Sequence, residues 1–265
     1  MRNALFVFLN MLLILIFLSC ITVLNINKHH VVLRKDETTW TSAVFLIIAE
    51  DSYYKEHCDN DSFCTENESE RYESNGTGSG FAVKVDNQDE NTTYIMTAAH
   101  ICSTEMAPPE DFDRETMVIF RKLYVSNGDH NIKISAIVVK EDIENDLCVL
   151  KIEQKLPYVF KISHKEPEYA EKVYNIGAPL GFFGPTYKPF SEGFFSGHVP
   201  RYSHYTKKHY VEALYHIAAV GGMSGSPIIN NKGHVVGMIQ SVNMQYPFLS
   251  FSSTVHDMHV ILEDL

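Results

Sequence analysis

Three short stretches of this 265-residue chain carry side chains that could do covalent chemistry together. Gly221-Gly222-Met223-Ser224-Gly225-Ser226-Pro227 lies between two apolar runs near the C-terminus. A serine hydroxyl is a poor nucleophile at neutral pH, so it needs a base to take its proton and backbone donors for the oxyanion that its attack creates. Gly222 and Gly225 let the chain turn tightly enough to aim the amides of Gly222 and Ser224 at one point. Thr97-Ala98-Ala99-His100 ends the apolar run Tyr94-Ile95-Met96, which places a histidine where a strand gives out. Asn145-Asp146 precedes Leu147-Cys148-Val149-Leu150-Lys151-Ile152, which places an acid at the mouth of a buried strand. Each has an ordinary explanation when taken singly: a hairpin loop, a structural histidine, a strand-end acid. The three together form a nucleophile, a general base and an orienting acid.

The order His, Asp, Ser is that of the chymotrypsin arrangement. Gly-x-Ser-Gly-Ser-Pro, Thr-Ala-Ala-His and Asn-Asp-Leu-x-Val-Leu-Lys-Ile resemble the trypsin-like (chymotrypsin-fold) serine endopeptidases, and most closely the HtrA/Deg-type branch. Thr77-Gly78-Ser79-Gly80-Phe81 resembles that branch's strand before the histidine, and Tyr174-Asn175-Ile176-Gly177-Ala178-Pro179-Leu180-Gly181 its Ile-Gly-x-Pro-Leu-Gly. Gly193 to Arg201 is similar to its Gly-x-Val-Ser segment, and Phe251-Ser252-Ser253 to its strand before a closing helix. The similarity covers about residues 40 to 265. It implies an all-β fold of two six-stranded antiparallel β-barrels with a short C-terminal helix, from roughly Ser253 to Leu265. It also implies peptide-bond hydrolysis through an acyl-enzyme: Ser224 attacks, His100 moves the proton, Asp146 orients the imidazole, and the Gly222 and Ser224 amides bind the oxyanion. No cofactor or metal is required, and the partner is a protein or peptide substrate.

By the same resemblance the walls of the primary pocket come from Ile217, Ala218 and Ala219 before the nucleophile and from Met238, Ile239 and Gln240 after it. Ala218 lies where trypsin-type enzymes place the acid that pairs with Arg or Lys, so the expected preference is for a small or medium apolar side chain. Two departures matter. Met223 stands where trypsins carry an Asp that pairs with a newly cut N-terminus, and no PDZ domain follows the closing helix as it does in most of the HtrA branch. The rival from another class is a catalytically silent trypsin-fold binding or scaffold protein. An α/β-hydrolase esterase fails on order, because that fold runs Ser, Asp, His.

The elements that must position these residues read as short strands. Ser42 to Ala49 is a continuous apolar strand. Phe81 to Val85 and Thr92 to Thr97 form a hairpin that delivers His100, and Met117 to Phe120 and Ile132 to Val139 follow. Ile228-Ile229 and His234 to Ile239 flank the turn Asn230-Asn231-Lys232-Gly233. Glu50 to Gly76 is acidic and rich in Asn and Ser, and reads as a mobile surface loop. Four Asn-x-Ser/Thr sites, at Asn60, Asn67, Asn75 and Asn91, fall in or near it. Tyr202, His204, Tyr205, Lys207, Lys208 and His209 read as a solvated hairpin tip. There is no internal repeat.

Ahead of the domain, Ala4 to Leu24 holds no charge over 21 residues, long enough to cross a bilayer as a helix. The expected division is a transmembrane signal anchor or signal peptide at 1–27, a linker at 28–40 and the peptidase domain at 41–265. The domain is then outside the cytoplasm, tethered to the membrane, or secreted if the segment is cleaved. Acids outnumber bases 33 to 22, for a net charge of −11, which argues against a nucleic-acid partner. Of five cysteines, Cys58 and Cys64 could close a small disulfide in an oxidising compartment. Cys102 and Cys148 read as small buried thiols, with a bridge between them as the alternative. The spacing fits no structural zinc site. The sequence leaves the oligomeric state open.

Overall fold

The computed structural model describes residues 39–265 apart from 59–63, 67–71, 87–88, 105–116, 129–132, 185–186, 203–206, 208 and 264. The apolar run at 1–27, most of the linker at 28–40, and Asn60 and Asn67 lie outside the described residues. Among those described, no helix is long and apolar enough to cross a membrane. Asn75 and Asn91 are exposed.

The first half of the domain comprises β1 (Val44–Cys58), β2 (Cys64–Glu66), β3 (Tyr72–Val83), β4 (Thr93–Thr97), β5 (Met117–Ser126), β6 (Ile134–Asp142) and β7 (Leu147–Ile152). They hydrogen-bond in the order β2-β1-β3-β4-β7-β6-β5, and β1 pairs again with β5. That second pairing closes six strands into a barrel and leaves β2 as an added ribbon. Closure is visible in the register of one residue: Leu46 faces Ser79 on one side and Ser126 on the other. The apolar runs do this work. Val44 to Ala49 and Leu147 to Leu150 are buried throughout, because a closed barrel turns one face inward and covers much of the other.

The second half comprises β8 (Lys161–Ile162), β9 (Lys172–Ile176), β10 (Phe190–Tyr202), β11 (His209–His216), β12 (Pro227–Asn230), β13 (His234–Val242) and β14 (Leu249–Ser252). Their order is β12-β9-β10-β11-β14-β13-β8, with β12 also paired to β13, so six antiparallel strands close again. Only β8 runs parallel to its neighbour, β13. The two α-helices among the described residues are short. α1 (Ala99–Cys102) carries His100, and α2 (Val255–Leu262) ends the domain behind a capping box in which Thr254 and Asp257 satisfy each other's backbone N–H. The expected pair of six-stranded barrels with a C-terminal helix is therefore what the chain forms.

One expectation fails. Glu50 to Gly76 is not simply a surface loop: β1 continues to Cys58, β3 begins at Tyr72, and Glu50 to Tyr53 pair with Asn75 to Tyr72. The acidic composition hid a strand in which the buried Asp51 is neutralised. Asp51 is 6% exposed and takes a two-pronged bond from Arg121, Nε to Oδ1 and Nη2 to Oδ2, each 2.6 Å. At the end of this ribbon Cys58 and Cys64 are cross-strand partners.

Candidate active site

Register brings His100 and Asp146 together. Thr97, the last residue of β4, pairs with Cys148, the second of β7. His100 follows Thr97 by three positions and Asp146 precedes Cys148 by two, so the antiparallel pairing sets them side by side. Asp146 holds the histidine twice: its Oδ1 accepts from the His100 backbone N–H at 2.9 Å, and its Oδ2 lies 2.8 Å from Nδ1. An ionised carboxylate accepts only, so the Nδ1 contact fixes the proton on Nδ1 and leaves Nε2 as the basic nitrogen. To reach this position Asp146 adopts φ +50, a left-handed conformation uncommon outside glycine. Asp142 steadies the turn before it, accepting from the Asn145 N–H at 3.0 Å and from its amide at 2.7 Å.

A disulfide joins Cys102 to Cys148, linking the helix of His100 to the strand of Asp146. From sequence alone the expectation for these two cysteines is buried thiols, with a bridge between them as the alternative. They are buried, at 3% and 0% exposure, and bridged, because the Thr97–Cys148 register directs the end of α1 back onto β7.

The nucleophile loop comes from the second barrel, between β11 and β12, and is anchored on the first. Ser79 of β3 donates its N–H to the Ser224 carbonyl at 2.7 Å and its hydroxyl to the Gly222 carbonyl at 2.8 Å. The two glycines are required by conformation and by space. Gly222 has φ +86 and Gly225 φ +84. A Cβ on Gly225 would lie 2.1 Å from the Ser79 carbonyl and 2.5 Å from Thr97 Oγ1, which measures how closely the strand leading to His100 packs behind Ser224. Among the described residues neither the Gly222 nor the Ser224 N–H meets a hydrogen-bond partner within the protein. Two unpaired donors with one residue, Met223, between them and next to a serine hydroxyl can receive an anionic oxygen.

Ser224 Oγ is oriented toward the Gln240 carbonyl, at 3.3 Å, and no hydrogen bond joins it to His100 among the described residues. Such contacts are often long without substrate and tighten when it binds. His100 and Asp146 side chains are 32% and 22% exposed, open enough for a substrate to reach.

The expected pocket residues separate into two groups. Ala218 and Ala219 line an apolar cavity of about 230 Å³ together with Pro179, Pro189, Phe190, Val220 and Met223. Ile217, just past the end of β11, and Met238 and Ile239 in β13 are buried at 1%, 0% and 2%. Gln240, 8% exposed, turns its amide to the carbonyls of Asn145 and Asp146. Sequence reasoning missed Ser79 as a contact of the nucleophile loop and Arg121 as a support of α1. Ser79 lay in a quoted motif, but its partners are 143 and 99 residues away, and no local pattern signals them. No group of His, Cys, Asp or Glu among the described residues could hold a metal ion.

Two closed six-stranded barrels, each supplying part of a His, Asp and Ser cluster, define a serine peptidase of the double-barrel kind. The family model for the trypsin-like peptidase domain matches residues 78–238, more than half of the chain, and the chain belongs to that family: it is a trypsin-like serine endopeptidase. No curated protein matches it significantly. Among solved structures it is similar to the Rv3671c protease of M. tuberculosis. The active form has 17% identity, 85% of this chain and 81% of that one covered, and a TM-score of 0.57. The inactive form has 17% identity, coverage of 85% and 89%, and a TM-score of 0.56. An inactive serine-to-alanine mutant of strain H37Rv has 16% identity, coverage of 85% and 86%, and a TM-score of 0.56. At these identities the likeness concerns the fold.

Proposed function

We propose that this endopeptidase cleaves peptide bonds with Ser224 as nucleophile, His100 as general base and then general acid, and Asp146 as the carboxylate that orients the imidazole and stabilises its charged form. Ser224 Oγ turns from the Gln240 carbonyl to His100 Nε2 as substrate arrives, gives up its proton, and bonds to the carbonyl carbon. The Gly222 and Ser224 N–H groups take the resulting oxyanion. His100 then protonates the leaving amine, and water releases the acyl group by the reverse route. The single observation that carries this reading is the double hold of Asp146 on His100 beside two unpaired amides on the nucleophile loop.

The preference we infer, a small or medium apolar residue before the scissile bond, is supported by Ala218 and Ala219 on an apolar wall with no acid to attract Arg or Lys. The motif matches support the HtrA-type branch. The uncharged run from Ala4 to Leu24 supports a membrane tether with the domain outside the cytoplasm, and the Cys102–Cys148 bridge fits an oxidising compartment.

The test is covalent labelling of the protein with a fluorophosphonate probe, beside Ser224→Ala and His100→Ala. Labelling of the parent that both substitutions abolish is the expected result. A folded parent that stays unlabelled under conditions where other serine peptidases react would overturn the assignment.

A further inference from the structure

Ser79 is buried at 0% exposure, and every one of its polar groups is spent on holding something other than its own strand. Its N–H donates to the Ser224 carbonyl at 2.7 Å. Its carbonyl accepts from Thr97 Oγ1 at 2.8 Å, three residues before His100. Its hydroxyl donates to the Gly222 carbonyl at 2.8 Å and accepts from the Ala178 N–H at 2.9 Å. A hydroxyl has one proton, so donating to one partner and accepting from the other fixes its rotor.

The two hydroxyl bonds act on the two peptide groups that flank the Gly222 Cα. Ala178 opens the turn Pro179–Gly181, in which Leu180 adopts φ 52 and donates its N–H to the Gly221 carbonyl at 2.7 Å. That carbonyl shares its peptide plane with the Gly222 N–H, and in a trans peptide the two point to opposite sides. Holding Gly221 O against Leu180 therefore keeps the Gly222 N–H directed away from that turn. Glycine at φ +86 offers little steric resistance to rotation of the plane, so some other contact must prevent it. Ser79 secures the following peptide directly, through the Gly222 carbonyl, and the preceding one through Ala178 and the turn that carries Leu180.

We propose that Ser79 is a positioning residue that holds the Gly222 N–H in its oxyanion-binding orientation. It touches no substrate atom; it acts through Gly222 and through the Ala178–Gly181 turn. The inference rests on the proteolytic reading above. It implies a defect confined to stabilisation of the oxyanion. Ground-state binding of a peptide, made by other groups, stays as it was.

The test uses the full chain and Ser79→Ala, with active sites counted by burst titration, so that a smaller folded fraction is not mistaken for slower chemistry. The expected result is a fall in kcat per active site of about 10- to 100-fold, below or at the lower edge of the loss of a direct oxyanion donor. KM should change less than about twofold, since uniform binding is untouched. Affinity for a peptidyl trifluoromethyl ketone, whose adduct carries an oxyanion, should fall by the same factor as kcat. Should Ser79→Ala fail to fold, Ser79→Cys, which leaves a weak donor in place, carries the same comparison with a smaller loss in the same direction. An unchanged kcat per active site, or a loss seen in KM while the ketone binds as before, overturns the positioning role. A parent that neither turns over nor labels overturns the proteolytic reading instead, so the two failures are distinguishable.

Discussion

Asp146 shows what one residue can be asked to do. Its two oxygens serve two different N–H groups of the same histidine, so replacing it with asparagine keeps the shape but faces one donor with another. Asp146→Asn should fold, and its kcat should fall by about 10⁴-fold, as expected when the imidazole is held in the wrong tautomer. Stopped assays on a peptide ester would read it. The residue that supports α1 is a different case. Arg121 is 6% exposed, pairs with Asp51, and also donates to the carbonyls of Ser103, at 2.5 Å, and Ile101, at 3.3 Å, where the helix of His100 ends. Removing its acid leaves a buried cation without its counter-charge. Asp51→Ala should therefore lose about 3 to 5 kcal/mol of stability in urea unfolding, more than a swap of both residues for apolar ones. A loss of under about 1 kcal/mol would show that water reaches the guanidinium.

At the scale of elements, the loop between the 3-10 turn at Pro179–Gly181 and β10 is held by an unusual lysine. Lys188 Nζ donates to the carbonyls of Thr41 and Val44, at the start of β1, and sits 4.8 Å from the centre of the Phe183 ring. Burial lowers its pKa from the ordinary 10.5 to about 8. The folded pKa lies below the unfolded one, so between pH 8 and 10.5 the unfolded chain binds the extra proton and stability rises with pH; the gain is lost as pH falls through 8. Burial pushes the Tyr215 hydroxyl well above its ordinary range, so that tyrosine opposes the trend as pH approaches 10, and the measurement is therefore a difference. The melting temperature of the parent relative to Lys188→Met should increase from pH 7.5 to pH 10. A flat difference would mean that the amine stays hydrated. The elements themselves were legible to differing degrees, and for a physical reason. β7, β12 and β13 are apolar runs bounded by turn residues, so hydrophobic patterning alone marks them. The far half of β1 is not apolar. It is a strand because it pairs with β3 and β5 and because Arg121, 70 residues away, neutralises Asp51, and neither fact leaves a local trace. The same limit hid Ser79 and the turn of Gln240, while His100, Asp146 and Ser224 were legible as candidates because each sits near a strand end that the pattern reveals.

At the scale of the molecule, the site lies on the seam between the barrels: His100 and Asp146 come from the first, Ser224 from the second. Neither barrel alone holds the arrangement, so the contacts across the seam set its dimensions. Gln240 is the clearest of them. It belongs to β13, yet its amide Nε2 donates to the Asn145 carbonyl and lies 3.4 Å from that of Asp146, while its own backbone carbonyl takes the hydrogen bond of Ser224 Oγ. One residue thus spans from Asp146 to Ser224. By family position the same glutamine would line the specificity pocket, and the two roles predict different outcomes. If the side chain lines the pocket, Gln240→Leu should alter which residue is preferred before the scissile bond and should move KM. If it ties the barrels, the ranking of substrates and KM should persist while kcat drops by about 10-fold, since a misplacement of the acid of order 1 Å is costly. The half-buried carbonyls of Asn145 and Asp146, left without their donor, should also cost about 1 kcal/mol of stability, since water can reach them in part. The contacts favour the second outcome. A panel of peptides varied only at the residue before the cleaved bond, run on parent and Gln240→Leu with thermal melts of both, separates them: a reordered panel with unchanged kcat would return Gln240 to the pocket.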